Sequence, residues 1–164
     1  MRPTPPGFDP QVWVELEGAR ALLRDGDVAG ALAMYGNVFD ACVRSGDHYH
    51  ASVIAHTAGV AEPDLTKKHE WNLAALREAD AVADRDRVKE TYPSNLNNLG
   101  MSFAQLGQAA KAIDALERAL MHVRDLPSGP YADQVRAGIE RNLGRAREPA
   151  GHAADNARNE TGRD

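Results

Sequence analysis

Three stretches of the chain resemble one another at a spacing of about forty residues. The clearest copy covers residues 96–119. Gly26 precedes Gly107 by 81 residues, and Ala31 precedes Ala112 by the same 81 residues (107 − 26 = 112 − 31 = 81). An offset of two periods indicates that one structural unit is repeated, which limits the chain to folds in which similar units stack.

The repeated unit predicts a helical hairpin. Two helices cannot bury their apolar stripes alone, whereas several stacked hairpins share a continuous core. Small residues are needed where helices cross closely, and Ala19, Gly59 and Gly100 occupy the same place in the three copies. Ala112 and Ala119 are expected at the crossing onto the next hairpin. Aromatic residues form only 5% of the chain and no stretch alternates like a strand, so we predict an all-α fold.

The third copy carries the most specific motif. It reads Leu96-x-x-Leu99-Gly100-x-x-Phe103, then Gly107, then Ala112-x-x-x-Leu116-x-x-Ala119. This pattern resembles the tetratricopeptide repeat (TPR), with Leu96 at the position of the usual first aromatic residue and the usual proline displaced to Pro127. The resemblance covers about residues 11–124. It implies a right-handed superhelical stack of helical hairpins whose concave groove binds a peptide or protein.

Breaks between the apolar patterns predict about seven helices. Gly26-Asp27, Ser45-Gly46-Asp47 and Glu62-Pro63-Asp64 each end one helix and begin the next. The predicted helices span residues 10–24, 28–44, 48–61, 65–83 and 109–124, and a capping helix begins at Pro130. The fifth helix has two alternative starts. It begins near Asp86 and is kinked at Pro93, or it begins at Pro93 itself.

The two ends differ in composition from the middle of the chain. Residues 1–10 hold four prolines and a glycine, which predicts a flexible lead without a core of its own. Residues 148–164 are polar and lack a periodic apolar face, which predicts a disordered tail. The TPR-like helical domain is therefore expected over residues 11–147.

The charge pattern argues against some classes of partner, and the single cysteine has a simple structural interpretation. The formal net charge is −5 with both signs mixed along the chain, so no basic patch predicts binding to nucleic acid or an anionic membrane. No long apolar run predicts a membrane span or a signal peptide, and we expect a cytoplasmic protein. Cys42 is the single cysteine, and its apolar neighbours predict a buried side chain.

Aligning the copies predicts which side chains line the concave groove. The equivalent positions on the first helix of each hairpin are Trp13, Val53 and Ser94; then Leu16, His56 and Asn97; then Arg20, Val60 and Met101. Asn97 resembles the asparagine with which TPR grooves hold an extended backbone or a terminal carboxylate. The basic residues of a full carboxylate clamp are absent, which argues against a cochaperone that captures acidic C-terminal tails.

Two functional hypotheses follow from this groove. The first is an interaction module without a cofactor, which binds a peptide or protein. Its polar anchors are Asn97, Asn98, Ser94, Arg20 and His56, and its apolar contacts are Trp13 and Met101. The second is a small enzyme or small-molecule-binding protein. There, His56 acts as general acid or base in a pocket and is oriented by Tyr92, Ser94 or Asn97.

Each candidate residue also has a structural interpretation. His56 can be a hydrogen-bonded, half-buried histidine, and Asn97 and Asn98 can bridge helices. A metal site is not predicted, because His48 and His50 differ by about 200° around a helix. The first hairpin has no helix before it, so Trp13 and Val14 suggest an apolar edge through which the protein forms a homo-oligomer.

Overall fold

The computed structural model describes residues Arg2–Glu148, which form seven α-helices and no β-strand. The helices are α1 Pro10–Arg24, α2 Val28–Ser45, α3 His48–Ala61, α4 Leu65–Ala81, α5 Tyr92–Gln105, α6 Ala109–His122 and α7 Pro130–Arg147. Short 3-10 turns occupy Arg85–Arg87 and Val123–Asp125. The predicted all-α fold with about seven helices is confirmed. All but the first residue of the predicted tail at 148–164 lies outside the described residues.

Aspartate side chains begin the first four helices. Each accepts a hydrogen bond from a backbone N–H of the first turn, which would otherwise lack a partner. These N-cap residues are Asp9, Asp27, Asp47 and Asp64. Gly46 ends α2 in the left-handed conformation, with φ of 74°, which costs glycine little because it has no Cβ. The turns therefore follow directly from local sequence chemistry.

The start of α5 decides between the two alternatives for Pro93. Helix α5 begins at Tyr92, and Pro93 lies in its first turn. Backbone N–H groups in the first turn have no acceptor within the helix, so proline, which has no N–H, costs no hydrogen bond there. The interpretation in which the helix begins near Asp86 and is kinked at Pro93 is therefore wrong.

The helices stack in the order of the chain. Each helix packs against the next one, α1 also contacts α3, and α7 contacts both α5 and α6. The first helices of successive hairpins thus lie on one side of the stack, and α7 covers the last hairpin. Within Arg2–Glu148, no helix combines the length and apolarity needed to cross a membrane.

Small residues lie where the hairpin helices cross, as the repeat predicts. A Cβ on Gly100 would lie 2.7 Å from Leu116 Cγ on α6, and one on Gly59 would lie 2.7 Å from Asn72 Oδ1 on α4. Ala112 and Ala119 are fully buried. Backbones at these crossings are therefore closer than a side chain on either glycine would allow.

The apolar core consists of two main clusters. One lies among α1, α2 and α3, and the other runs from α4 to α7. Between them lies a small third cluster of Ala55, Ala74 and Ala75, against which Phe39 and Trp71 pack. Cys42 is buried in the first cluster as predicted, and burial raises the pKa of its thiol to about 11. The polar side chains described next adjoin this small cluster at Ala75.

Candidate functional site

The first helices α1, α3 and α5 carry a set of half-buried or exposed side chains at or beside the predicted groove positions, which we call the groove face. On α3 these side chains recur three or four residues apart, the spacing of one helical face. The groove face comprises Arg20, Tyr49, Val53, His56, Val60, Ser94, Asn97, Asn98 and Met101. Leu16, which was also predicted to line the groove, is instead buried in the core at 1% exposure.

His56 is held by a chain of hydrogen bonds that crosses three helices. Its Nδ1 lies 2.8 Å from Asn95 Oδ1, Asn95 Nδ2 donates to Ser52 Oγ over 3.2 Å, and the Ser52 hydroxyl donates to the Ala75 carbonyl over 2.8 Å. We call this arrangement the polar network. Because the single proton of Ser52 is used on Ala75, Ser52 can only accept from the Asn95 amide. Asn95 Oδ1 therefore faces the imidazole, and His56 donates through Nδ1–H.

This tautomer leaves His56 Nε2 without a proton. Burial lowers the pKa of His56, an effect that the hydrogen bond to Asn95 partly opposes. The imidazole is consequently neutral near pH 7, with Nε2 available as a hydrogen-bond acceptor or base. Asn95, only 1% exposed, is the residue that orients His56, in place of the predicted Tyr92, Ser94 or Asn97.

Asn97 forms an equivalent link one hairpin further along the stack. Its Oδ1 accepts a 2.9 Å hydrogen bond from Asn142 Nδ2 on α7. His56 and Asn97 each lie three residues before the glycine of their hairpin crossing, and each bonds to the first helix of the next layer. Both residues thus bridge helices. His56 bonds to α5 and Asn97 bonds to α7. The bond to Asn142 uses the Asn97 oxygen and does not use the Asn97 amide N–H groups.

Trp13 and Arg20 occupy a covered part of the groove. The Arg20 guanidinium pairs with Glu17 at 2.7 Å and lies 5.6 Å from the Trp13 ring centroid. Its hydrogen bond lowers the pKa of the Glu17 carboxyl. Trp13 is only 8% exposed, and its indole N–H donates to the Arg2 carbonyl over 2.9 Å. Of the two residues suggested for an apolar edge, only Val14 is exposed.

The residues that cover Trp13 come from the N-terminal lead, residues 2–8. Phe8 packs edge-on against Trp13, Tyr49 and His50, with ring centroids 5.4, 6.2 and 4.4 Å away. The Arg87 guanidinium lies 4.0 Å from the Tyr49 ring centroid and donates to the Gly7 carbonyl over 3.3 Å. The lead therefore contacts the groove face at Tyr49, where α1 and α3 begin.

His50 joins the end of the lead to α3. It accepts a 3.0 Å hydrogen bond at Nε2 from the Asp9 backbone N–H, while its Nδ1 lies 2.6 Å from Asp47 Oδ2. Sequence reasoning expected residues 1–10 to be a flexible lead and missed these contacts. The available signal was Phe8, an aromatic residue directly before the Asp9 helix cap, where apolar residues commonly pack onto the following helix.

Asn98 and Met101 line a small polar cavity between α3, α4 and α5. Its volume is about 170 Å³, and Asn72 Nδ2 donates to the Asn98 carbonyl at its edge over 3.1 Å. Nearby, His69 Nδ1 lies 2.8 Å from Ser102 Oγ. The pKa of His69 is lowered by burial and by the neighbouring Lys111. The cavity and these buried polar contacts were not predicted.

Tyr92 lies away from His56, beside a second cavity of about 380 Å³. Its hydroxyl donates to Asp80 over 2.6 Å, and the Arg85 guanidinium lies 5.1 Å from its ring centroid. Burial and the Asp80 contact raise the pKa of Tyr92. Tyr92 is thus part of the core of the second half, with a polar tip at the surface.

Comparisons with known proteins do not assign the chain to a family. No family model, curated protein or solved structure matches it. The TPR resemblance therefore stays a prediction from the motif. Within Arg2–Glu148, no group of histidine, cysteine and carboxylate side chains has the arrangement to hold a metal ion.

Proposed function

We propose that the protein is a TPR-like interaction module that binds an extended peptide or protein segment on its groove face. The observation that carries this proposal is the lead, an irregular segment that already lies on this face. Two of its contacts use backbone carbonyls, those of Arg2 and Gly7, and a third uses one aromatic side chain, Phe8. A surface that binds main-chain carbonyls and one anchoring side chain has the chemistry of peptide recognition.

Beyond the lead, the groove face offers both kinds of hydrogen-bonding group. His56 presents the acceptor Nε2, and Asn97 presents amide donors, while each side chain is fixed by its bond to the neighbouring helix. Fixing a side chain before binding lowers the entropy that binding costs. An extended segment exposes alternating N–H and C=O groups, which these two residues complement.

The alternative function, a small enzyme or small-molecule-binding protein, needs an enclosed pocket at His56. His56 does not line the two cavities described above, nor two further cavities beside Trp71 and Phe103. A half-buried histidine whose Nδ1–H is held by Asn95, outside these cavities, suits recognition of a backbone better than proton transfer in a site that excludes water. The contacts of the lead, rather than a pocket at His56, therefore support the interaction module.

Matched variants test the proposal. Peptides selected from a displayed library on the full-length protein are measured against wild type, His56→Asn and Asn97→Asp. His56→Asn keeps a donor bonded to Cγ and so retains the bond to Asn95, but it lacks Nε2. Asn97→Asp keeps the acceptor for Asn142 but loses the amide donors. Met121→Ala, at an exposed residue of α6, is the control.

We expect each groove variant to weaken binding by up to about tenfold, the effect of one hydrogen bond. The Met121→Ala variant should bind like wild type. Peptides that bind all four proteins equally would place recognition on another surface.

A further inference from the structure

The lead makes few contacts that depend on its own sequence. Pro3, Pro5 and Pro6 are exposed. The hydrogen bonds from Trp13 and Arg87 end on backbone carbonyls, which any polypeptide carries. Phe8 is the one lead side chain packed among aromatic residues. Another segment with an aromatic residue at this place could make the same contacts.

The shape of the lead is set by a turn. The Phe8 N–H donates to the Pro5 carbonyl over 3.2 Å, and Gly7 has φ of 76°. Proline at the second position and glycine with positive φ at the third are the signature of a type II turn. The turn directs Phe8 towards Trp13 and Tyr49. Its prolines also restrict the free chain, which reduces the entropy lost on binding.

From these contacts, and resting on the proposed function, we propose that the lead is an exchangeable internal ligand of the groove face. The partner is a polypeptide segment of the same chemistry, a proline-glycine turn followed by an aromatic residue, and it binds by displacing residues 2–8. The lead is joined to α1 through Asp9 alone, so its effective concentration at the groove is high. A partner therefore binds more weakly to the intact protein than to one whose lead has been released.

Gly7 offers a way to release the lead without altering the groove. A Cβ on Gly7 would meet no atom within 4 Å, so the substitution creates no clash, and the cost arises from its positive φ. Alanine at positive φ is disfavoured by a factor of roughly five to thirty. Asparagine adopts this conformation more readily. Gly7→Ala should therefore release the lead, and Gly7→Asn is the matched control.

The experiment uses full-length proteins and a labelled peptide with the sequence of residues 2–8. Fluorescence anisotropy measures binding of the peptide added in trans. The NMR signal of the Trp13 indole N–H, which bonds to the Arg2 carbonyl, reports whether the lead is in place. We expect Gly7→Ala to shift this signal and to bind the peptide roughly five- to thirtyfold more tightly than wild type. Gly7→Asn should resemble wild type, and a peptide with Phe8→Ala should not bind.

Several outcomes would overturn the proposal. One is a Gly7→Ala protein whose indole signal has moved but whose affinity for the peptide equals that of wild type. If the signal does not move, Phe8→Ala in the full-length protein removes the aromatic anchor, and unchanged peptide binding there is equally decisive. A dimer that forms when the lead is released would assign the groove to the lead of a second copy, against the proposal.

The failure of this inference is distinguishable from failure of the proposed function. Suppose that library peptides bind wild type and Gly7→Ala equally but bind His56→Asn more weakly. The proposed interaction module would then stand, and the exchangeable lead would be refuted. Absence of peptide binding to every variant would reject both.

Discussion

Replacing Asn95 by alanine tests whether the polar network holds the two core clusters together. Asn95 is 1% exposed and bonds to His56 on one side and to Ser52 on the other. The substitution removes both hydrogen bonds. It leaves the His56 N–H and the buried Ser52 oxygen without the Asn95 partner, at about 1–3 kcal/mol for each group that water cannot reach.

His56 is half-buried, so water partly replaces its lost partner, and the expected total is about 2–4 kcal/mol of unfolding free energy. For a chain of this length that loss corresponds to a fall in Tm of roughly 5–15 °C. Urea denaturation followed by helical circular dichroism measures the free energy directly. His56→Asn, which keeps the donor to Asn95, should cost clearly less.

A double-mutant cycle isolates the contact itself. His56→Ala and Asn95→Ala should be coupled by about 1–2 kcal/mol, within the usual range for hydrogen-bonded neighbours. Loss of Asn95 should also lower the pKa of His56 further, because the hydrogen bond opposes the effect of burial. A cost below about 0.5 kcal/mol for Asn95→Ala, or coupling near zero, would refute the network as a stabilising element.

Three further predictions concern helix crossings, pH and the second half. Gly100→Ala should destabilise by up to about 2 kcal/mol, because overpacking against α6 exceeds the gain in helix propensity, whereas Gly144→Ala, with open space at its Cβ, should stabilise by about 0.5–1 kcal/mol. Urea titrations measure both changes in unfolding free energy. If the two substitutions changed it in the same direction, the close crossing at Gly100 would be contradicted. Because burial lowers the folded pKa of His56 below 6.5, its contribution is complete above pH 6.5 and is lost as the pH falls towards the folded value. Stability should decline as the pH falls through 6.5, less so in His56→Asn, and an equal decline in both proteins would mean that other groups cause it. Tyr92→Phe should cost about 1 kcal/mol through loss of the 2.6 Å bond to half-exposed Asp80, and no change in the thermal midpoint would show that water replaces it.

Local sequence was sufficient for the existence of the helices and for many of their ends. Aspartate caps and glycine turns act within a few residues, so the predicted bounds of α1 and α3 agree with the structure, while α4 ends at Ala81, earlier than predicted. The close crossings at Gly59 and Gly100 were predicted too, because a helix can approach another backbone only where side chains are small. The TPR-like function, by contrast, remains a proposal.

The sequence by itself determined an all-α chain of about seven helices, with small residues at the crossings, because caps, turns and apolar spacing are local properties. Only the tertiary structure decided that His56 meets Asn95 and that Asn97 meets Asn142. Asn95 and Asn97 are two residues apart on α5 and so point about 200° apart around it. The rotation of α5 in the stack therefore decides which of them meets His56. The position of the lead was also a tertiary outcome. Phe8 finds Trp13 and Tyr49 only after α1 and α3 have packed side by side.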